Sequence, residues 1–129
     1  MREATVHTGN GKHRQEIDIE KHHLVADEPE EVGGTDAGPQ SHDFLLAALG
    51  ACTSITVKMY ADRKGWPLRS IEVKLSQAKE GDVHVMKRHI RLEGDLDAEQ
   101  RTRLLEIANK CPVHKTLSGE LRIDSDLVS

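Results

Sequence analysis

Two cysteines stand in this chain of 129 residues, and each sits in a setting that bears on what a thiol can do. Cys111 opens the run Cys111-Pro112-Val113-His114. Proline is favoured at the first position of a helix, where its missing N–H costs nothing and its φ is already helical. Cys111 is thus expected at or beside an N-cap, where free backbone N–H groups favour a thiolate and lower the thiol pKa. His114, three residues on, falls near the same helical face and would add positive charge when protonated. The same residues also fit a small buried Cys beside a surface His. Cys52 lies in FLLAALGACTSITV, mid-helix and among aliphatics. Such a thiol resists ionisation and fits a structural core Cys unless a cation or donor reaches it. Lys58, in the same segment, is nearly two turns away, so that partner must come from another segment or another subunit.

Other chemistries find little support. The eight histidines include His22-His23, but there is no CxxC pair and no HxxxH spacing on a helix. Cys111 and His114 supply two ligands where a zinc site needs three or four, so no metal is expected. The glycines of GGTDAGP do not follow a strand in a phosphate-binding pattern; they read as a loop needing positive φ angles. The charge run DEPEE reads as solvated loop. The net charge of -4, with acids and bases interspersed, lacks the footprint of a nucleic-acid binder. The start, MREATVHTG, has no apolar h-region of a secretory signal. The longest uncharged run, 44–57, is shorter than the about 20 residues of a membrane span. A cytoplasmic protein without a membrane partner is expected, and there thiols are kept reduced, so the cysteines read as free, catalytic or metal-bound rather than as a permanent disulfide.

The elements that must position these residues follow from periodicity and caps. No linker or repeat divides the chain, so residues 1–129 read as one domain. One Trp, one Tyr and one Phe leave an aliphatic core. Residues 4–8 and 15–19 read as strands around Gly9-Asn10-Gly11, where Asn-Gly suits a tight hairpin; 23–26 is a short third strand. A helix runs from 41 to 64, with Ser41 as N-cap, Asp43 in the first turn, Gly65 as C-cap and Pro67 as stop. Its first half is uncharged on all sides, as in a buried helix. Leu45, Ala48, Leu49, Cys52, Ile55 and Met59 share one face. Residues 70–77 alternate as a half-buried strand, and 83–92 form another, whose change of phase at Val85/Met86 implies a bulge or twist. Asp97 with Gln100 opens a helix to about Lys110. A short helix follows from Pro112 to Gly119, and 120–124 reads as a last strand. The fold class is α+β.

Read together, GG-x-D-x-GP followed by HDFLLAALGACTSITVKMYADRKGWPL, and later LLEIANKCPVHKTL, resemble the OsmC/Ohr family in its OsmC-like branch. The likeness covers about residues 32–123. It implies an OsmC-like fold built as an intertwined homodimer, with the long central helix that carries Cys52 buried between the subunits. It also implies a thiol-dependent peroxidase acting on organic hydroperoxides, with hydrogen peroxide as a further substrate, in oxidative or osmotic stress defence. In that likeness Cys52 is the peroxide-reactive thiol and Cys111 the resolving one. The resulting Cys52–Cys111 disulfide is reduced by a dithiol of lipoyl or thioredoxin type, without a cofactor. The Ohr branch pairs a Glu, ten residues before the first cysteine, with an activating N-terminal Arg. Here His42 holds that position and Asp43 follows it. Of the arginines before the first motif, Arg2 and Arg14, Arg14 is the better match. Two other functions stay open: an OsmC-like binding or stress protein without efficient turnover, and a Cys-His hydrolase using Cys111 and His114.

Overall fold

The computed structural model describes residues 2–128. In chain order the elements are β1 (Ala4–Thr8), β2 (Gln15–Ile19), β3 (His22–Ala26), α1 (Ser41–Lys64), β4 (Leu68–Glu80), β5 (Val83–Gly94), α2 (Ala98–Ala108) and α3 (Pro112–Ser118), an α+β chain. They form two compact units, one up to Leu45 and one from Leu46, with α1 beginning in the first and continuing through the second.

In the first unit, β1, β2 and β3 make an antiparallel sheet in that order. β1 and β2 have the bounds read from sequence, but the chain between them does not make the tight Asn-Gly turn. Thr8 pairs with Gln15, Gly9 N–H donates to Arg14 O at 2.9 Å, and it is Gly11, at φ 92°, that takes the left-handed conformation. After β3 the chain turns around one carboxylate. Asp27 is 3% exposed. Its Oδ2 accepts from the Thr35 hydroxyl (2.7 Å), Ala37 N–H (3.1 Å) and Thr35 N–H (3.3 Å), and its Oδ1 from Glu28 N–H (2.8 Å). The charge run is therefore not wholly solvated: its first residue is the buried hub of the loop. The glycines differ from expectation too. Gly33 has positive φ, but Gly34 and Gly38 are needed for close approach: a Cβ there would meet Glu28 O at 1.9 Å and Val25 O at 2.2 Å.

In the second unit, α1 ends where its sequence signals placed the end. Trp66 N–H bonds Ala61 O (2.9 Å) and Gly65 N–H bonds Asp62 O (3.1 Å), with Gly65 at φ 72°, a Schellman stop. Ser41 is the first helical residue, and the Asp43 carboxylate closes that end by accepting from Gln40 N–H at 3.0 Å. Within the chain α1 is buried along one stripe only: Leu49, Gly50, Thr53, Val57 and Ala61. Of the face read from sequence, Leu49 is buried and Cys52 half-buried, but Leu45, Ala48, Ile55 and Met59 are open, Ile55 at 59% and Met59 at 63% exposure; Ala51 beside them is open too. An apolar run marks a helix with two apolar sides without saying which one its own chain covers. The helix also carries a longer apolar window than the uncharged run implied, mean hydropathy 1.5, so by length and composition it could cross a membrane.

β4 and β5 pair antiparallel, Ile71, Val73 and Leu75 alternating on one strand with Met86, Arg88, Ile90 and Leu92 on the other as half-buried residues. The irregularity lies between Leu68 and Ser70, not at Val85/Met86. The apparent phase change sits near the hairpin tip, where residues 79–84 are all exposed and no covered face enforces alternation. Asp97 and Gln100 form a full capping box for α2. Val57, Ala61, Leu68, Leu96, Leu104, Ile107 and Ala108 make the core, with Tyr60 and Trp66 against it. Full burial of a side chain such as Leu104 contributes about 1.5–3 kcal/mol. The last strand expected at 120–124 does not form: the segment is irregular, and Leu121 and Ile123 are exposed. Alternation defines a strand's faces but supplies no neighbour for its hydrogen bonds.

Four hydrogen bonds hold the Asp27 carboxylate at a pKa of about 2, the Thr35 hydroxyl foremost, then Ala37 and Glu28 N–H, against an opposing push from burial. Asp27→Asn would turn an amide NH2 toward groups that can only donate or already donate. Thermal melts should show a Tm several degrees below wild type at neutral pH. A depressed carboxyl contributes stability above its unfolded value, near 3.8, and loses it as pH falls through about 2. The gap between variant and wild type should therefore narrow only below about pH 4.

Candidate functional site

The site forms where α2 ends and α3 begins. The chain leaves Ala108, turns at Asn109 and Lys110, and enters α3 with Cys111 as N-cap in extended conformation and Pro112 next, as the Cys-Pro pair indicated. Cys111 is completely buried. Its Sγ accepts from His114 N–H at 3.4 Å. Cys52 arrives from α1, half-buried, and its Sγ accepts from Val113 N–H at 3.5 Å, with the Thr56 hydroxyl 3.9 Å away. Two consecutive amides of one helix start thus address two sulfurs from distant parts of the chain. Both thiols are free.

Behind the sulfurs lies Thr53, fully buried. Its hydroxyl donates to Leu49 O at 2.6 Å and stands 3.9 Å from Cys111 Sγ. A hydroxyl has one proton, so towards Cys111 it can only accept. It also accepts from Arg88 of β5 at 2.9 Å. The Arg88 guanidinium reaches Asn109 Oδ1 (2.7 Å), His114 Nδ1 (3.2 Å) and Ala108 O (3.3 Å) as well. Among the described residues, no carboxylate lies within ion-pair distance of Arg88.

Burial pushes the Cys52 thiol up, but the Val113 N–H, the Cys111 thiol, the Thr56 hydroxyl and the Arg88 charge together outweigh it, and the thiol ionises below its ordinary value. For His114, burial and then Arg88 both lower the pKa. Arg88 can only donate, so His114 Nδ1 must present its lone pair, which makes the ring neutral with its proton on Nε2. The expectation that His114 brings positive charge is thus corrected. The cation here is Arg88.

The structure brings Cys52, Cys111 and His114 together. Arg14 donates to Glu16 at 2.8 Å, and Asp43 is bonded to Gln40 N–H. Sequence reasoning missed Arg88, Thr53 and Asn109. One signal could have found Arg88: it holds the same inward phase as Met86, Ile90 and Leu92, where an arginine is out of place unless its donors are met. Beside His114 a pocket of about 240 Å³ is lined by Leu49, Met86, Leu117, His84 and Ser118. A larger depression, about 530 Å³, lies around Tyr60, Trp66 and Arg103; neither depression has a cysteine in its lining, but His114 borders the smaller one. Among the described residues no group of three or more His, Cys, Asp or Glu is arranged to hold a metal ion.

Comparison with known proteins gives a consistent picture. The family model for OsmC-like protein matches residues 34–126. The chain is similar in structure to an OsmC-like protein from Mycoplasma pneumoniae, with a TM-score of 0.78 and 16% identity over 92% of this chain and 88% of that one. It is similar to the organic hydroperoxide resistance protein OsmC from Legionella pneumophila, with a TM-score of 0.68 and 18% identity over 92% and 90% of the two chains. The organic hydroperoxide resistance protein OhrB of Bacillus subtilis gives a TM-score of 0.64 and 19% identity over 92% and 91%. Likeness at these identities speaks for the fold. No curated protein matches the chain by sequence.

Cys52 is half-buried with four influences favouring its thiolate, whereas Cys111 has no accessible surface. A brief iodoacetamide pulse at neutral pH, read by peptide mass, should label Cys52 faster than Cys111 by on the order of tenfold. Equal labelling would mean that the start of α3 opens readily.

Proposed function

The chain belongs to the OsmC-like protein family, and on that premise we propose that it is a thiol-dependent peroxidase that reduces organic hydroperoxides, and hydrogen peroxide less readily, in stress defence. The observation that carries this reading is the pair of sulfurs bonded to consecutive amides, Val113 N–H on Cys52 and His114 N–H on Cys111. The two thiols are neighbours in space although 59 positions separate Cys52 from Cys111 in sequence, 111 minus 52. Their exposure also fits a division of labour, the half-open Cys52 meeting substrate and the buried Cys111 waiting behind it.

In this reading the Cys52 thiolate attacks the distal oxygen of the hydroperoxide. The O–O bond breaks, Cys52 becomes a sulfenic acid, and the alkoxide leaves as the alcohol after taking a proton. The Cys111 thiol then attacks the Cys52 sulfur; an S–S bond forms and water leaves. A cellular dithiol, lipoyl-type or thioredoxin-type, returns both thiols by exchange. The apolar walls of the pocket beside His114, Leu49, Met86 and Leu117, suit an organic substituent. No step calls on a metal or organic cofactor. The setting is cytoplasmic, where such dithiols are maintained.

The hydrolase reading fares worse. The link from His114 to Cys111 runs through the backbone N–H, and the imidazole Nδ1 faces Arg88 rather than a sulfur. A binding protein on the same fold is separated by turnover alone: catalytic consumption of cumene hydroperoxide with a dithiol excludes it.

A homodimer belongs to the same proposal, as does a single OsmC-like domain over residues 1–129, since the family match runs across the division between the two units. The open stripe Ala48, Ala51, Ile55, Met59 and the exposed Leu121, Ile123, Leu127 and Val128 are apolar surface that a second copy can cover. A dimer is favoured over a membrane as that cover, because the opposite face of α1 carries Thr53, bonded to the Arg88 guanidinium.

Cys52→Ser should abolish hydroperoxide consumption. Cys111→Ser should react once and stop as a species about 16 Da heavier, trapped by a sulfenic-selective probe. Intact wild type after one equivalent should instead lose two hydrogens. A sulfenic acid forming at Cys111 in Cys52→Ser at the wild-type rate would reverse the assignment. Sedimentation should give twice the chain mass at micromolar concentration, for an interface above about 2,000 Å²; a stable folded monomer would exclude the dimer.

A further inference from the structure

Arg88 sits where an arginine is costly. It projects on the inward face of β5, between Met86 and Ile90, half-buried in an aliphatic layer. A guanidinium taken partly out of water must have its donors satisfied, and a carboxylate is the usual partner. Arg14, Arg103 and Arg122 each have one, in Glu16, Glu106 and Asp124. Arg88 instead binds neutral acceptors: Thr53 Oγ1, Ala108 O, Asn109 Oδ1 and His114 Nδ1. Its hydrogen bonds are met while its charge is left unneutralised.

Those acceptors belong to the segments that hold the sulfurs. Thr53 follows Cys52 on α1. Ala108 and Asn109 precede Cys111 at the end of α2, and His114 supplies the amide that Cys111 accepts. Thr53 gives its only proton to Leu49 O, so its remaining capacity faces Arg88 and Cys111. An arginine bonded to a carboxylate would spend its field on that partner; this one does not. From this geometry we propose that Arg88 is the positioning residue of the site, clamping the segments that carry Cys52 and Cys111 together and presenting them with a positive charge. It fills the role for which the likeness to the Ohr branch pointed to Arg14. The lowered pKa of Cys52, to which Arg88 contributes after the closer hydrogen bonds, agrees with it. The consequence for peroxide chemistry rests on the thiol-peroxidase reading; the clamp and the charge do not.

The test reads thiol ionisation without any peroxide. Among the described residues, the titratable and charged groups that bear on Cys52 are Cys111 and, from β5, Arg88, which also binds His114 of α3; His84 lines the pocket beside His114. Iodoacetamide labelling of Cys52 is followed by peptide mass across pH, with circular dichroism to verify the fold. Arg88→Met should move the labelling profile to higher pH and slow labelling near neutral pH by on the order of tenfold. Arg88→Lys retains a charge without the fork of donors and should recover part of that loss. If Arg88→Met does not fold, Arg88→Lys and Asn109→Ala carry the test, each expected to slow Cys52 labelling by a smaller factor. A profile unmoved in the folded variants overturns the proposal, as does an Arg14→Ala profile that moves as far as that of Arg88→Met. A profile that shifts as expected while the wild type consumes no hydroperoxide would leave Arg88 in its role and remove the peroxidase reading.

Discussion

The amides of Val113 and His114 each point at a sulfur, and much of the second unit serves to make that possible. Cys111 reaches its amide locally, because it caps the helix that His114 belongs to. Cys52 has to be delivered by a different helix, at a depth and rotation that place Sγ within 3.5 Å of Val113 N. That delivery depends on the buried stripe of α1, Leu49, Thr53, Val57 and Ala61, whose spacing of four sets the helix against the core. Rotating α1 by one residue, so that Ser54 and Lys58 pointed inward in place of Thr53 and Val57, would carry Cys52 away from α3. The core packing of Val57 and Ala61 with Leu104 and Ala108 is thus what aligns the two thiols, at a distance from either.

The site also shows how a poor setting for a thiolate can be improved from outside. A cysteine in the middle of an apolar helix has no free amide of its own, since each is committed to the carbonyl four residues back. Cys52 borrows one from the start of another helix, and Arg88 adds charge from a strand. The helix start that would have made Cys111 the favoured thiol on local grounds is shared between both sulfurs. Exposure then separates them: one is half-buried, the other has no contact with solvent.

Polar groups elsewhere follow the same logic of full satisfaction. Asp27 collects donors from Glu28, Thr35 and Ala37, and the glycines at 34 and 38 exist so that the backbone can wrap closely enough to supply them. Arg101 binds the carbonyls of Leu92, Gly94 and Leu96 and ties the β5–α2 connection. Among the described residues, no buried side-chain nitrogen or oxygen lacks a partner. With few aromatic residues to build a large apolar core, these closed networks supply definition that packing alone would not.

Local chemistry was legible in the residues themselves. The C-terminal end of α1, the Asp97–Gln100 capping box and the place of Cys111 at a helix start are written in runs of a few neighbours, because caps and proline act over one turn. The two cysteine motifs in their order carried the family likeness. What stayed hidden depends on contacts between distant segments. Which apolar side of α1 faces its own core, whether 120–124 finds a strand to pair with, and that Asp27 is buried are decided by neighbours far along the chain. Arg88 is the clearest case: in sequence it is one charge among several on a strand. Only the meeting of β5 with α1 and the start of α3 gives it Thr53, Asn109 and His114 as partners and leaves its charge for the thiols. Side-chain period tells which face a residue takes, whereas tertiary packing alone determines what that face meets.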